Sequence, residues 1–127
     1  MKAFDFDGVL VPDIAQIEVE QAAFEKVFLG LQPLFTPSTP WVIVTGRNDK
    51  VMIDKWCRAH FKNNLPQQIF VNHHNAPPEE HKGRVLASLS YDVFIESDAV
   101  QAQALREAGH RVILFGEFIK ANLDKIK

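Results

Sequence analysis

The chain carries one cysteine, Cys57, in 127 residues. A single thiol excludes an intrachain disulfide and a thiolate zinc cluster, and it fits a reducing, cytoplasmic setting. An excess of charge of one sign is also lacking: 14 Lys and Arg stand against 16 Asp and Glu, with a formal net charge of −2 and a pI near 6.2. Such a balance provides no general attraction to nucleic acid or to a membrane, although it leaves room for a local basic patch. No apolar run approaches the roughly 20 residues of a membrane span. The amino terminus passes directly into an apolar segment, so no signal peptide is expected. Repeats and low-complexity tracts are absent as well. What remains, with ten Phe and 46% hydrophobic residues, is enough apolar material for the core of one domain spanning residues 1–127.

Short apolar, β-rich runs alternate with segments of helical spacing. Residues 2–6, 41–45, 68–72, 92–96 and 111–115 read as strands. Residues 14–31 read as a helix with Ile17, Ala22, Phe24, Val27, Phe28 and Leu31 on its apolar side. A second helix, capped by Asn48 or Asp49 and running to about Lys62, offers Val51, Ile53, Trp56, Cys57 and Phe61 to the core. Pro77-Pro78-Glu79-Glu80 starts a third helix that ends near Leu89. A fourth covers 99–108 before Gly109, and a last one follows Gly116. Five alternations of strand and helix predict an α/β domain whose five-stranded parallel sheet is covered on both faces. Sites in such sheets lie outside the carboxyl ends of the strands. That rule gathers the loops after each strand on one functional edge and sends the proline-rich segment 32–40 to the opposite end.

Four features meet at the functional edge. Asp5 and Asp7 lie two residues apart at the end of the first strand, followed by Gly8, which tolerates an unusual backbone angle. Two such carboxylates repel unless a cation sits between them. The plainer reading of that stretch is a strand running into an Asp-Gly turn. Thr45-Gly46-Arg47 ends the second strand, where a hydroxyl and backbone amides at a helix start suit phosphate oxygens, or simply turn the chain. Lys82 is a cation at the start of the third helix, or an ordinary solvated lysine. Glu96-Ser97-Asp98 ends the fourth strand, where carboxylates suit Mg²⁺ and where Ser97 or Asp98 also suits a helix N-cap.

In this order, Phe4-Asp5-Phe6-Asp7-Gly8-Val9-Leu10, Val42-Ile43-Val44-Thr45-Gly46-Arg47, Lys82 and Ile95-Glu96-Ser97-Asp98 resemble the four motifs of the haloacid dehalogenase-like hydrolase superfamily. The fourth motif departs from the usual pair of acids by having Glu first and Ser between. The resemblance implies a Rossmann-like three-layer sandwich and a Mg²⁺-dependent phosphatase working through an aspartyl-phosphate. Asp5 would be the nucleophile and Asp7 the general acid and base, with its main-chain carbonyl facing the metal. Thr45, Gly46 and Lys82 would hold the phosphoryl oxygens, and Asp5, Asp7, Glu96 and Asp98 the Mg²⁺. The segments between motifs are too short for an inserted cap, so the resemblance is to capless members. Their open sites admit large substrates or are closed by a second subunit.

The expected substrate is a phosphorylated small metabolite or nucleotide. The alternatives are a phosphorylated nucleic-acid end and a catalytically weak binding protein on the same fold. A receiver-type signalling module also uses a sheet-edge Asp, a Thr, a Lys and Mg²⁺, but it places the acceptor Asp on the third strand, where this chain has Asn72. His73, His74 and Asn75, on the longest polar loop of the functional edge, are candidates for substrate contact, as is Arg47. Adjacent histidines rarely share one metal, so a zinc site is not expected there.

Overall fold

A computed structural model describes residues 1–13 and 21–122. Five strands, β1 (Lys2–Phe4), β2 (Trp41–Val44), β3 (Ile69–Phe70), β4 (Phe94–Glu96) and β5 (Val112–Leu114), form one parallel sheet in the order β3-β2-β1-β4-β5. The helices are α1 (Gln21–Gly30), α2 (Lys50–His60), α3 (Pro78–Ala87), α4 (Ala99–Glu107) and α5 (Phe115–Ala121). This is the expected α/β architecture, with strands shorter than the apolar runs that signalled them. The first turns expected for the first helix, 14–20, lie outside the described residues.

Period-two alternation divides the core between the two faces of the sheet. Phe4, Ile43, Ile69 and Ile95 point to one side, where Phe28 of α1, Ile53 and Trp56 of α2 and Phe118 of α5 meet them. Ala3, Val42, Phe94 and Val112 point to the other, against Leu86 of α3 and Ala102 and Leu105 of α4. Both faces are therefore covered, which gives three layers and explains why the central strands read as continuous apolar runs. One expected core position is displaced: Val51 is 71% exposed. Ile53, Trp56 and Cys57 share the inward stripe of α2, and Val51, two residues before Ile53, falls on the other side of the helix.

The chain leaves β1, adds β2 and β3 on one side, then crosses to add β4 and β5 on the other. The strand order thus reverses beside β1, and a crevice opens between the carboxyl ends of β1 and β4. Aromatic packing fixes the floor of that crevice. Phe6 stacks on Phe28 at 5.7 Å and meets the edge of Trp56 at 5.2 Å, so α1 and α2 grip the chain between Asp5 and Asp7. Trp56 also donates from Nε1 to the Leu31 carbonyl at 2.8 Å. Trp56→Ala should cost about 3–5 kcal/mol of stability in denaturant titration; a loss below about 1 kcal/mol would show that Trp56 does not carry this packing.

Candidate functional site

Asp5 directly follows β1, and its backbone N–H continues the ladder to the Ile95 carbonyl at 3.0 Å. Its side chain is therefore set against the end of β4, where Glu96 sits. Between the two carboxylates lies Lys82 of α3. The ammonium donates to Asp5 Oδ2 at 3.1 Å, to Glu96 Oε2 at 2.8 Å and to Gln101 Oε1 at 2.7 Å. A lysine has three N–H donors, and each has an acceptor here. Only 3% of the Lys82 side chain and none of the Glu96 side chain is exposed.

The remaining oxygens are accounted for as well. Asp5 Oδ1 accepts from the Phe6 N–H at 2.8 Å. Glu96 Oε1 accepts from the N–H groups of Ser97 and Asp98 at 3.2 and 3.3 Å. Asp98 is the N-cap of α4 and accepts from the Gln101 N–H at 3.0 Å, yet it remains exposed to the crevice. Asp98-Ala99-Val100-Gln101 has the spacing of a capping box, whose last side chain normally turns back to the cap backbone. Gln101 instead reaches Lys82. The spacing was visible in the sequence, but its use by a residue of another helix was not.

Asp7 and its neighbours form the outer rim. Gly8 has φ +76°, and a β-carbon there would lie 2.6 Å from Ser97 Oγ, so this position admits only glycine for two separate reasons. The Ser97 hydroxyl donates to the Asp7 main-chain carbonyl at 3.1 Å. The Asp7 carboxylate faces Arg47 Nη1 at 3.4 Å. Arg47 is held more firmly by Asp49, through Nε at 3.0 Å and Nη2 at 3.1 Å. That bidentate pair draws Asp49 away from the α2 terminus, where its side chain makes no cap. Thr45 is fully buried, and its hydroxyl accepts from the Arg47 N–H at 3.2 Å, closing the turn. Gly46 lines the crevice, and a β-carbon on it would lie 3.3 Å from Pro78.

The structure thus brings Asp5, Asp7, Gly46, Arg47, Lys82, Glu96 and Asp98 around one open cavity of about 220 Å³, joined by Asp13, Ser97 and Gln101. His73 and His74 line a different depression. Asn75, at φ +50°, accepts from Asn48 Nδ2 at 3.3 Å. Among the described lining residues, five carboxylates face two cations. Oxygen donors in that excess suit a hard dication in charge and in chemistry. They are not gathered as ligands beforehand: among the described residues no three His, Cys, Asp or Glu side chains cluster in that way. No protein-family model, curated protein or solved structure matches the chain. No helix among the described residues is long and apolar enough to cross a membrane.

Burial pushes the Asp5 carboxyl well above the usual carboxylate range; Lys82 pulls it back and Glu96 pushes it further up. Lys82 is lowered by burial but raised by Asp5 and Glu96, which together hold it above its ordinary value. Folded Asp5 therefore binds its proton more tightly than the unfolded chain does, so its contribution to stability falls as pH rises from about 4 toward the raised value. Asn removes the charge and keeps one acceptor oxygen, enough for either the Phe6 N–H or Lys82. The difference in Tm, Asp5→Asn minus wild type, should accordingly move in favour of the variant as pH rises from about 4 toward neutral. A difference in Tm that does not change with pH would rule out this origin.

Proposed function

We propose that the chain is a phosphomonoesterase of the haloacid dehalogenase-like type, with Asp5 as nucleophile. The observation that carries this reading is a nearly buried carboxylate at the switch point of the sheet, paired with a buried lysine and followed two residues later by a second acid at the cavity rim. In the first step an Asp5 oxygen attacks phosphorus, the bond to the leaving oxygen breaks, and Asp7 supplies the proton that oxygen needs. Water then attacks phosphorus with Asp7 as base, releasing phosphate and regenerating the Asp5 carboxylate. Gly46 and Lys82 line the cavity where the phosphoryl oxygens would lie, and Thr45 holds the turn that presents Gly46.

For Lys82 to reach a phosphoryl oxygen it must release one of its three acceptors. Asp5 is the partner consumed by the reaction, and Gln101 is the uncharged one. Glu96, whose two oxygens are engaged by Lys82 and by backbone amides, acts as a positioning residue. Asp5, Asp98 and the Asp7 backbone carbonyl are the groups that would hold Mg²⁺, with Ser97 giving up its bond to that carbonyl. Bound there, Mg²⁺ screens the repulsion between Asp5 and a phosphate dianion.

Asp5→Asn should abolish hydrolysis of para-nitrophenyl phosphate in a folded protein. Asp7→Asn should slow turnover at least about a hundredfold, and more for poor leaving groups than for good ones. Asp5→Asn activity within about tenfold of wild type removes Asp5 as nucleophile, and equal slowing of both ester classes in the first step removes Asp7 as acid.

The metal assignment separates the two acids of the fourth strand end. Activity should be lost in EDTA and restored by Mg²⁺. Asp98→Asn should raise the Mg²⁺ concentration needed, whereas Glu96→Gln should lower the rate at saturating Mg²⁺ by loosening Lys82. The reverse pattern in a Mg²⁺ titration would make Glu96 the ligand.

A further inference from the structure

A larger groove, about 530 Å³, runs along the outer side of the edge strand β3, from Leu65 before the strand to His74 after it. Helices α2 and α3 form its flanks. Lys50, Asp54 and Arg58 lie at i, i+4 and i+8 of α2, a single stripe about 12 Å long. Asp54 is the only acid among the described lining residues, and it pairs with Arg58 at 2.9 Å. The Arg58 side chain remains 66% exposed, so its other donors face outward. His73 and His74 are exposed at the end of the groove nearest the cavity. His81 lines the wall, with its Nε2 shielded from solvent and its ring beside the Phe70 and Thr45 backbone. Leu65, Val85 and half-buried Phe70 supply apolar surface between these donors.

Groove and cavity share their walls. The turn that carries Gly46 and Arg47 into the cavity continues to Lys50 in the groove, and α3 presents His81 to one and Lys82 to the other. The Asn72 N–H donates to the Arg47 carbonyl at 2.7 Å, tying the histidine loop to the cavity rim. Among the described residues the two linings differ in charge: five carboxylates and two cations in the cavity, against one carboxylate, two cations and three imidazoles in the groove.

We propose that the β3 groove binds the chain of a single-stranded oligonucleotide whose terminal phosphate enters the Asp5 cavity. Spaced donors suit successive phosphodiesters, and an open ring such as Phe70 suits a base. An extended polymer matches a groove that follows the length of a strand. The substrate assignment rests on the phosphatase reading; the binding of the chain does not.

Fluorescence anisotropy with a labelled single strand of about twelve nucleotides, a length within single-strand site sizes, tests this directly when both its ends are hydroxyls. Wild type and Asp5→Asn should bind it alike. The surface double variant Lys50→Ala/Arg58→Ala should bind at least about tenfold more weakly, and its slope of log K against log salt should be flatter by about 1.4, two single-strand phosphate contacts. His73→Ala/His74→Ala should also weaken binding. In kinetics, the Lys50/Arg58 variant should lose kcat/KM on a 5′- or 3′-phosphorylated strand while keeping it on para-nitrophenyl phosphate. No binding, binding indifferent to Lys50 and Arg58, or equal competition by a polyglutamate peptide of similar length would overturn the groove assignment. Hydrolysis of the small ester without strand binding would overturn the groove alone. Strand binding without hydrolysis of any ester would support the groove and overturn the phosphatase reading.

Discussion

A buried ammonium must find an acceptor for each of its three N–H bonds, and Lys82 finds them on three separate parts of the fold. Asp5 follows β1, Glu96 ends β4, and Gln101 belongs to α4. Removing any one would leave a desolvated charge short of a partner, a cost of about 1–3 kcal/mol or more. The lysine therefore dictates how α3 and α4 sit over the sheet as well as what lies in the crevice. Its position near the Phe94 ring, 6.0 Å from the centroid, closes the space beneath it.

The same arrangement has a cost in stability. One cation held by two carboxylates leaves an excess of negative charge in a place with little water. Burial above all, with Glu96 adding to it, raises the Asp5 pKa. A fold seeking only stability would place an amide or an apolar side chain there. On the proposed reading, a phosphoryl group or a metal ion would offset the charge of the two acids. Ser97 belongs to the same account. Its hydroxyl occupies the Asp7 carbonyl and packs against Gly8 so closely that no β-carbon fits. Strand end, turn glycine and helix cap form one unit around the rim.

Beside this acidic cavity stands a groove of opposite character, on a chain with almost no net charge. The near balance of the composition hides an uneven distribution of acids between the two sites. A global charge of −2 says little about binding when five acids gather at the switch point and the groove at the sheet edge has only one among its described residues.

Short continuous apolar runs and helical spacing, alternating five times, were sufficient to predict a parallel sheet covered on both faces, because a strand that is apolar at every position has to bury both of its sides. The strand-end rule then placed Asp5, Asp7, Gly46, Lys82, Glu96 and Asp98 on one edge before any contact was known. The sequence could not say that Gln101 turns from its own cap to Lys82, that Asp49 leaves the α2 terminus for Arg47, or that Glu96 faces inward while Asp98 faces the cavity. Each of these is a choice between partners of similar chemistry, one close in sequence and one brought close by folding. Nor could it separate His73 and His74 from the cavity, since residues on one edge of a sheet share a cleft only if the helices leave a path between them. Local pattern decides which elements form; which of two available partners a polar side chain takes is decided by packing, and packing exists only in the tertiary structure.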